Sequence, residues 1–163
     1  MKKLLLFILP LALLSCGGED EKGKTLDLSE YGLDATIEAG NPKRVNAVNF
    51  STNYELKVLK KAIDIEYEDN LVVTITESDK NRTVDVVDNA KKFGDEVVES
   101  SETHYVIKSE GRDNNSEFDC VYFYEKDGVW FSIKVADKDK YFYCTSMDQV
   151  KKGSEVAKTF KFK

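Results

Sequence analysis

The chain contains a single histidine, His104, and this limits the acid–base chemistry open to it. A serine or cysteine hydrolase would have to use His104 as its general base, because imidazole exchanges a proton near neutral pH. His104 lies between Thr103 and Tyr105 in a segment with strand character, and the sequence has no Gly-x-Ser-x-Gly turn to present a nucleophile. Glycine-rich phosphate-binding motifs are also missing. We therefore expect a surface or half-buried histidine, no enzyme activity and no nucleotide cofactor.

Carboxylates are abundant but do not form the motif of a metal site or a glycosidase. Asp64, Glu66 and Glu68 alternate along one segment, and side chains with oxygen atoms recur at every second position from Asp113 to Asp119. The second run faintly resembles a calcium loop, but it lacks the central glycine and the closing glutamate. We expect solvated acidic surface at both places, with no metal and no cofactor.

Two cysteines, Cys120 and Cys144, lie in the part of the chain predicted to fold. In a compartment that permits disulfides they could form a bridge, and the closed loop would contribute about 3 kcal/mol on the chain-entropy model. Two small buried side chains are the alternative, because the sequence does not fix the distance between the Cα atoms. Two thiols and one remote histidine do not have the spacing of metal ligands.

Aromatic side chains are concentrated between residues 122 and 143. Four tyrosines have the same parity along the predicted strands: Tyr122, Tyr124, Tyr141 and Tyr143. Alternate residues of a strand point to opposite faces, so these tyrosines are expected to share one face, with Phe123 and Phe142 in the core. An exposed tyrosine face could bind a glycan or a partner protein. The alternative is a set of tyrosines that pack beneath the last helix.

The first sixteen residues have the layout of a secretory leader. Lys2 and Lys3 precede an apolar run from Leu4 to Leu14, which is too short to cross ~30 Å of hydrocarbon as a stable helix. The segment that closes this run, Leu13-Leu14-Ser15-Cys16, resembles the lipobox of bacterial lipoproteins. This resemblance implies a signal peptide over residues 1–15 and acylation of Cys16. The expected partner of Cys16 is therefore the lipid bilayer, which several acyl chains hold firmly.

Residues 16–24 are predicted to form a flexible tether, because they are rich in glycine and charge and have no apolar side chain to bury after Cys16. Glu19-Asp20-Glu21 resembles the acidic export signal of Bacteroidetes lipoproteins, which is linked to display on the outer face of the outer membrane. We expect a location in the outer membrane, facing either the periplasm or the cell surface. The net charge of −6 and the lack of a basic stripe argue against binding to nucleic acid.

Residues 25–163 are predicted to form a single α+β domain with an antiparallel sheet. Val84, Val87 and Ala90 recur at a spacing of three, with Phe93 following on the same side. They predict a central helix over about 83–93, with Thr83 as the N-cap and a glycine directly after its end.

A C-terminal helix is predicted over about 147–160, where Met147, Val150, Ala157 and Phe160 mark one face. Ser146 and Gln149 fit a capping box at its start. Gly153 is expected to weaken this helix by about 1 kcal/mol relative to alanine. Because each helix has one apolar stripe, both helices are expected to pack on the sheet.

The order of strands, helix, strand meander and terminal helix resembles the PsbP/Mog1/DcrB-type sandwich. The phrase Leu28-Ser29-Glu30-Tyr31-Gly32-Leu33 resembles the opening of small Bacteroidetes lipoproteins. The resemblance implies accessory and binding proteins with no shared catalytic motif, so it transfers no active-site residue to this chain. We expect a membrane-anchored, non-enzymatic binding or accessory protein of the cell envelope. The alternative is a small-ligand or glycan binder that uses the tyrosine face.

Overall fold

The computed structural model describes residues 24–51, 59–111, 115–140 and 142–163. Within those residues it has two antiparallel sheets, of three and seven strands, and two α-helices, which confirms the predicted α+β class. The strands are β1 (Thr25–Asp27), β2 (Ala35–Glu38), β3 (Arg44–Ser51), β4 (Leu59–Glu66), β5 (Leu71–Ser78), β6 (Glu96–Ser100), β7 (His104–Glu110), β8 (Ser116–Lys126), β9 (Val129–Asp137) and β10 (Lys161–Phe162). The helices are α1 (Thr83–Phe93) and α2 (Met147–Lys158), with a short 3-10 helix at Leu28–Tyr31.

The large sheet has the strand order β3-β4-β5-β9-β8-β7-β6, so β6 lies at one of its ends. The small sheet has the order β1-β2-β10. Val135 and Ile133 are buried on the face of the large sheet that packs against α2 and the small sheet, which we call the α2 face. Tyr105 and Phe123 point to the opposite face, where they pack against Val87 of α1. Each helix therefore buries its apolar stripe on a different face of the same sheet.

Helix α1 has the bounds that the sequence predicts, but its buried stripe is different. The buried residues are Thr83, Val87 and Ala90, whose spacings of four and three follow the helical repeat. Val84 and Phe93 are 68% and 77% exposed, so their predicted place on the apolar face is wrong. Since Thr83 is the first helical residue and is buried, it does not cap the helix; its N–H donates to Asn81 Oδ1 at 2.9 Å.

The ends of the two helices make some contacts that the sequence predicts and some that it does not. Gly94 ends α1 in the left-handed conformation, with φ at 85°, as its position predicts. Ser146 Oγ accepts the N–H of Gln149 at 3.3 Å, which is one half of the predicted capping box. The other half is missing because Gln149 Oε1 accepts the Thr145 N–H at 2.9 Å. Helix α2 ends at Lys158 rather than near 160, and the chain then enters β10.

Gly153 lies where α2 crosses β9, and a side chain there has no room. A Cβ atom placed on Gly153 would lie 2.1 Å from Cγ1 of Val135, which is itself fully buried. Val135 cannot rotate into solvent, so any added methyl group would push the helix away from the sheet. The glycine that the sequence marks as a weak point of the helix is therefore what allows its backbone to rest on the sheet.

Replacing this glycine tests the close approach. Gly153→Ala is expected to lower the free energy of unfolding by about 1–3 kcal/mol, because overpacking exceeds the roughly 1 kcal/mol that alanine adds to helix propensity. Lys151→Ala, on the exposed side of α2, should change stability by less than about 0.5 kcal/mol. Urea unfolding measures both, and a stabilised Gly153→Ala variant would contradict the packing. In combination with Val135→Ala, Gly153→Ala should cost less than it does alone.

The first described strand is held to the last residue of the chain. Asp27 Oδ1 lies 2.6 Å from Lys163 Nζ, and it also accepts the Ser29 N–H at 2.9 Å. The Lys163 ammonium group and the Ser29 N–H lower the pKa of the Asp27 carboxyl from 3.8 to about 2. Because the pKa of Asp27 is lower in the folded state than in the unfolded state, this contact stabilises β1 above about pH 4. The stabilisation is lost as the pH falls toward about 2.

Removing the lysine should move the titration of Asp27. In Lys163→Ala, the pKa of Asp27 is expected to rise part of the way back to 3.8, because the Ser29 N–H still donates to the carboxylate. Lys161→Ala, a nearby exposed lysine, should leave it unchanged. Carbon-detected NMR titration of the side-chain carboxyl reports the pKa directly, and an equal value in the parent and in Lys163→Ala would exclude the contact.

Candidate binding cleft beside strand β6

A cleft of about 170 Å³ lies on the α2 face, between α2 and the end of the large sheet. Helix α2 packs over β9, β5 and β8 but does not cover β6. The apolar part of its wall is formed by Val98 and Val106 from the sheet and by Met147 and Val150 from α2. Charged side chains of β6 and α2, among them Glu99 and Lys158, form its rim.

Glu99 connects the two sides of this cleft. Its Oε1 atom lies 2.9 Å from Nε2 of His104 and 3.8 Å from Nζ of Lys158, the last residue of α2. His104 is half-buried, as the sequence predicts, and its Nδ1 atom lies 2.6 Å from Ser101 Oγ. A neutral imidazole with its proton on Nε2 satisfies both contacts, because it donates to Glu99 and accepts from Ser101.

Ser101, His104 and Glu99 are the residue types of a serine hydrolase, but their surroundings are those of a turn. Ser101 Oγ accepts the Thr103 N–H at 3.2 Å, and the Ser101 N–H donates to the His104 carbonyl at 2.9 Å. Glu99 lines the cleft, whereas neither Ser101 nor His104 does. The three side chains thus stabilise the turn between β6 and β7. Of these three residues only His104 was predicted as a candidate, although Glu99 and Ser101 lie within five residues of it.

Tyr122 forms a polar cluster behind the cleft. Its ring stacks on His104 with 5.0 Å between centroids and an interplanar angle of 11°, and Lys158 Nζ lies 5.9 Å from the ring centroid. Only 3% of Tyr122 is exposed, and its hydroxyl lies beside the Ser154 side chain without a hydrogen bond of good geometry to any described residue. Burial raises the pKa of Tyr122 to about 12. Beside it, Cys120 Sγ lies 3.6 Å from Oγ of Ser154, which lines the cleft.

The predicted tyrosine face is not an exposed surface in the described residues. Tyr122 and Tyr124 lie beneath α2, where the Tyr124 hydroxyl donates to the Ala157 carbonyl at 2.7 Å. Tyr143 is partly exposed and lies beside Lys134, whose Nζ is 6.0 Å from its ring. Tyr141 lies outside the described residues. Parity is lost because β9 ends at Asp137 and Cys144 then forms only an isolated bridge with Phe118.

The two phenylalanines lie in different environments, although the sequence predicts both in the core. Phe123 is buried as predicted, but Phe142 is 62% exposed, which contradicts its expected place in the core.

Cys120 and Cys144 are free, buried thiols rather than the disulfide that the sequence allowed. Cys144 faces Phe118 across the bridge, two residues from Cys120, and its thiol donates to the Val135 carbonyl at 3.4 Å. Burial raises the pKa of Cys120 to about 11 and that of Cys144 to about 12.

The alternating carboxylates of residues 64–68 each have a hydrogen-bond or ion-pair partner. Asp64 accepts the Thr74 hydroxyl at 2.7 Å, and Glu68 lies 3.0 Å from Lys43 Nζ. Glu66 forms an ion pair with Lys138, which lowers the pKa of the Glu66 carboxyl. No group of three or more potential metal ligands occurs in the described residues, and Asp113 lies outside them. Cys16 and the predicted leader are also outside. Among the described residues, no helix has the length and apolar character that a membrane span requires.

Comparisons with family models, curated proteins and solved structures find no significant match for this chain.

A matched pair of variants tests the polar cluster behind the cleft. Tyr124→Phe is expected to lose about 0.5–1.5 kcal/mol of stability, because it removes the hydrogen bond to the Ala157 carbonyl. Tyr122→Phe should be neutral or stabilising, since it removes a buried hydroxyl that lies beside Ser154 without a hydrogen bond of good geometry. Urea unfolding compares the two, and an equal loss in Tyr122→Phe would show that its hydroxyl is hydrogen-bonded.

Proposed function

We propose that this chain is a lipid-anchored binding protein of the bacterial cell envelope. The observation that supports the proposal most is where the folded part begins relative to Cys16. Strand β1 starts at Thr25 and is held by β2 and by Lys163, so an ordered body follows directly after the tether. The eight residues between Cys16 and Thr25 span at most about 30 Å. Acyl chains on Cys16 would therefore keep the body close to the bilayer surface.

Binding rather than catalysis is supported by the state of the reactive groups. The Ser101 hydroxyl and the His104 imidazole are engaged in the turn after β6, and neither lines the cleft. The thiols of Cys120 and Cys144 are buried, and their raised pKa values keep them protonated at neutral pH. The cleft beside β6, by contrast, is accessible and has an apolar lining and a charged rim. These are properties of a surface that recognises a partner.

The acidic residues that follow Cys16 support an outer-membrane location for the anchored protein, on either the periplasmic or the external side. Glu19-Asp20-Glu21 resembles an export signal for surface display. A net charge of −6 argues against attachment through anionic lipid headgroups, so attachment would depend on the acyl chains.

A glycan or other small ligand is the second candidate, and the exposed pair Phe142 and Tyr143 favours it. Their ring centroids are 6.4 Å apart, and Lys134 Nζ lies 5.4 Å from the Phe142 ring. Exposed aromatic rings beside polar groups can stack on the apolar faces of sugars. This site would replace the predicted face of Tyr122, Tyr124, Tyr141 and Tyr143. A titration with neutral oligosaccharides that shifts the Phe142 and Tyr143 NMR signals would select it, and unchanged signals would exclude it.

The anchor is tested by removing the thiol that would carry it. In cells, Cys16→Ala should release the protein from the membrane fraction or leave it as an uncleaved precursor, because no acyl chain can be attached. Cys120→Ala removes a thiol from the folded part and should leave membrane localisation unchanged. Fractionation followed by mass spectrometry of the amino terminus measures both results. A processed Cys16→Ala protein that remains firmly in the membrane fraction would contradict the proposal.

A further inference from the structure

We propose that the outer edge of β6 and the adjoining cleft bind an extended, basic peptide segment of a partner protein. The segment adds a strand to the large sheet beside β6 and places one apolar side chain in the cleft. This inference rests on the proposal that the domain acts by binding, and it is independent of the lipid anchor.

The backbone of β6 supplies the first part of the site. Within the described residues β6 pairs only with β7, so it is an end strand of the seven-stranded sheet. Alternate N–H and C=O groups of an antiparallel end strand point away from its neighbour, and they can pair with another chain. The ladder shifts between Val97 and Glu99, which leaves Val98 as the extra residue of a bulge. Val98 is 40% exposed and lines the cleft.

The cleft supplies the second part, because its position and size suit one side chain of an added strand. Every second side chain of such a strand points to the α2 face, where the cleft opens beside β6. Its volume of about 170 Å³ is below the ~300–1,000 Å³ typical of sites for drug-sized ligands. The wall formed by Val106, Met147 and Val150 favours an apolar side chain. Backbone pairing then gives affinity and the cleft gives selectivity, as in other cases of strand addition.

The charge around β6 determines the kind of segment that fits. Four acidic residues, Asp95, Glu96, Glu99 and Glu102, occur between residues 95 and 102 without a single lysine or arginine. Glu99 is engaged by His104 and Lys158, and Glu96 at the beginning of the strand forms an exposed ion pair with Lys108 at 3.3 Å. Asp95 and Glu102 complete the acidic run at the two ends of the strand. Lysine or arginine side chains on the incoming segment would lie near these carboxylates, and acidic side chains would be repelled.

The test uses the full chain in detergent micelles, labelled with nitrogen-15, and two synthetic peptides. The first is acetyl-Thr-Lys-Thr-Leu-Thr-Lys-Thr-amide, in which one leucine and two lysines share a face, and the second has glutamate in place of each lysine. The basic peptide should shift the amide signals of β6 and of the cleft residues on α2, and it should slow exchange of the outward β6 amides. The acidic peptide should bind at least about tenfold more weakly, because its charge has the sign of the edge.

Two valines with the same exposed fraction provide a matched control. Val98 and Val129 are both 40% exposed, but Val129 lies at the turn between β8 and β9. Val98→Lys should weaken binding of the basic peptide about tenfold or more, since it places a cation and a polar group at the cleft. Val129→Lys should leave the affinity unchanged. If Val98→Lys does not keep the parent amide spectrum, the double variant Glu96→Lys/Glu102→Lys takes its place, with the same expected loss.

Several results would overturn the proposal. These are no binding of the basic peptide at about 1 mM, equal binding of both peptides, shifts that map to Phe142 and Tyr143 instead of β6, or full affinity in Val98→Lys. None of these results affects the membrane fractionation of Cys16→Ala. Conversely, a protein that is not lipid-anchored could still bind the peptide, so the two proposals fail separately.

Discussion

The contact between Gly153 of α2 and Val135 of β9 determines which part of the large sheet is covered. With no side chain at Gly153, the helix backbone rests directly on a fully buried valine. Ser154 and Ala157, both small, are buried on the same side of the helix. This contact keeps α2 over the middle strands and away from β6, so it also creates the cleft. The packing at Gly153 therefore determines that the sheet beside β6 stays uncovered.

A second set of contacts fixes the cleft in place. Glu99 of β6 reaches His104 on the next strand and Lys158 at the end of α2. Tyr122 lies under this group and stacks on His104, while Tyr124 bonds the Ala157 carbonyl. The groups with the most reactive chemistry in the domain are therefore used to hold the helix, the hairpin and the sheet together. That use is consistent with the proposed role in binding, and it leaves the edge of β6 accessible.

The sequence was sufficient for the fold class and for the position of both helices, because those depend on local patterns. Gly94 ends α1 where its position predicts, and Ser146 caps α2. The predicted apolar stripe of α1 was partly wrong, because residues spaced by three move steadily around the helix. Val84 therefore lies on the exposed side. The actual stripe of Thr83, Val87 and Ala90 follows the alternation of four and three.

The candidate site was not predictable in the same way, because it depends on how distant segments pack. The tyrosine face required one strand parity from Tyr122 to Tyr143, but the chain leaves the strand after Asp137 and Phe142 turns outward. The cleft requires knowing that α2 stops short of β6, and no local pattern carries that information. The acidic run from Asp95 to Glu102 was the one available signal, and it gains meaning only once β6 is known to be an end strand.

The most direct measurement is a nuclear Overhauser experiment on the full chain with labelled valine methyl groups. We expect strong cross-peaks between the Hα protons of Gly153 and the γ-methyl groups of Val135, because the two residues lie in contact. Cross-peaks from Gly153 to the methyl groups of Val106 on β7, with none to Val135, would contradict this expectation. Helix α2 would then lie over the cleft, and the edge of β6 would have no adjoining site.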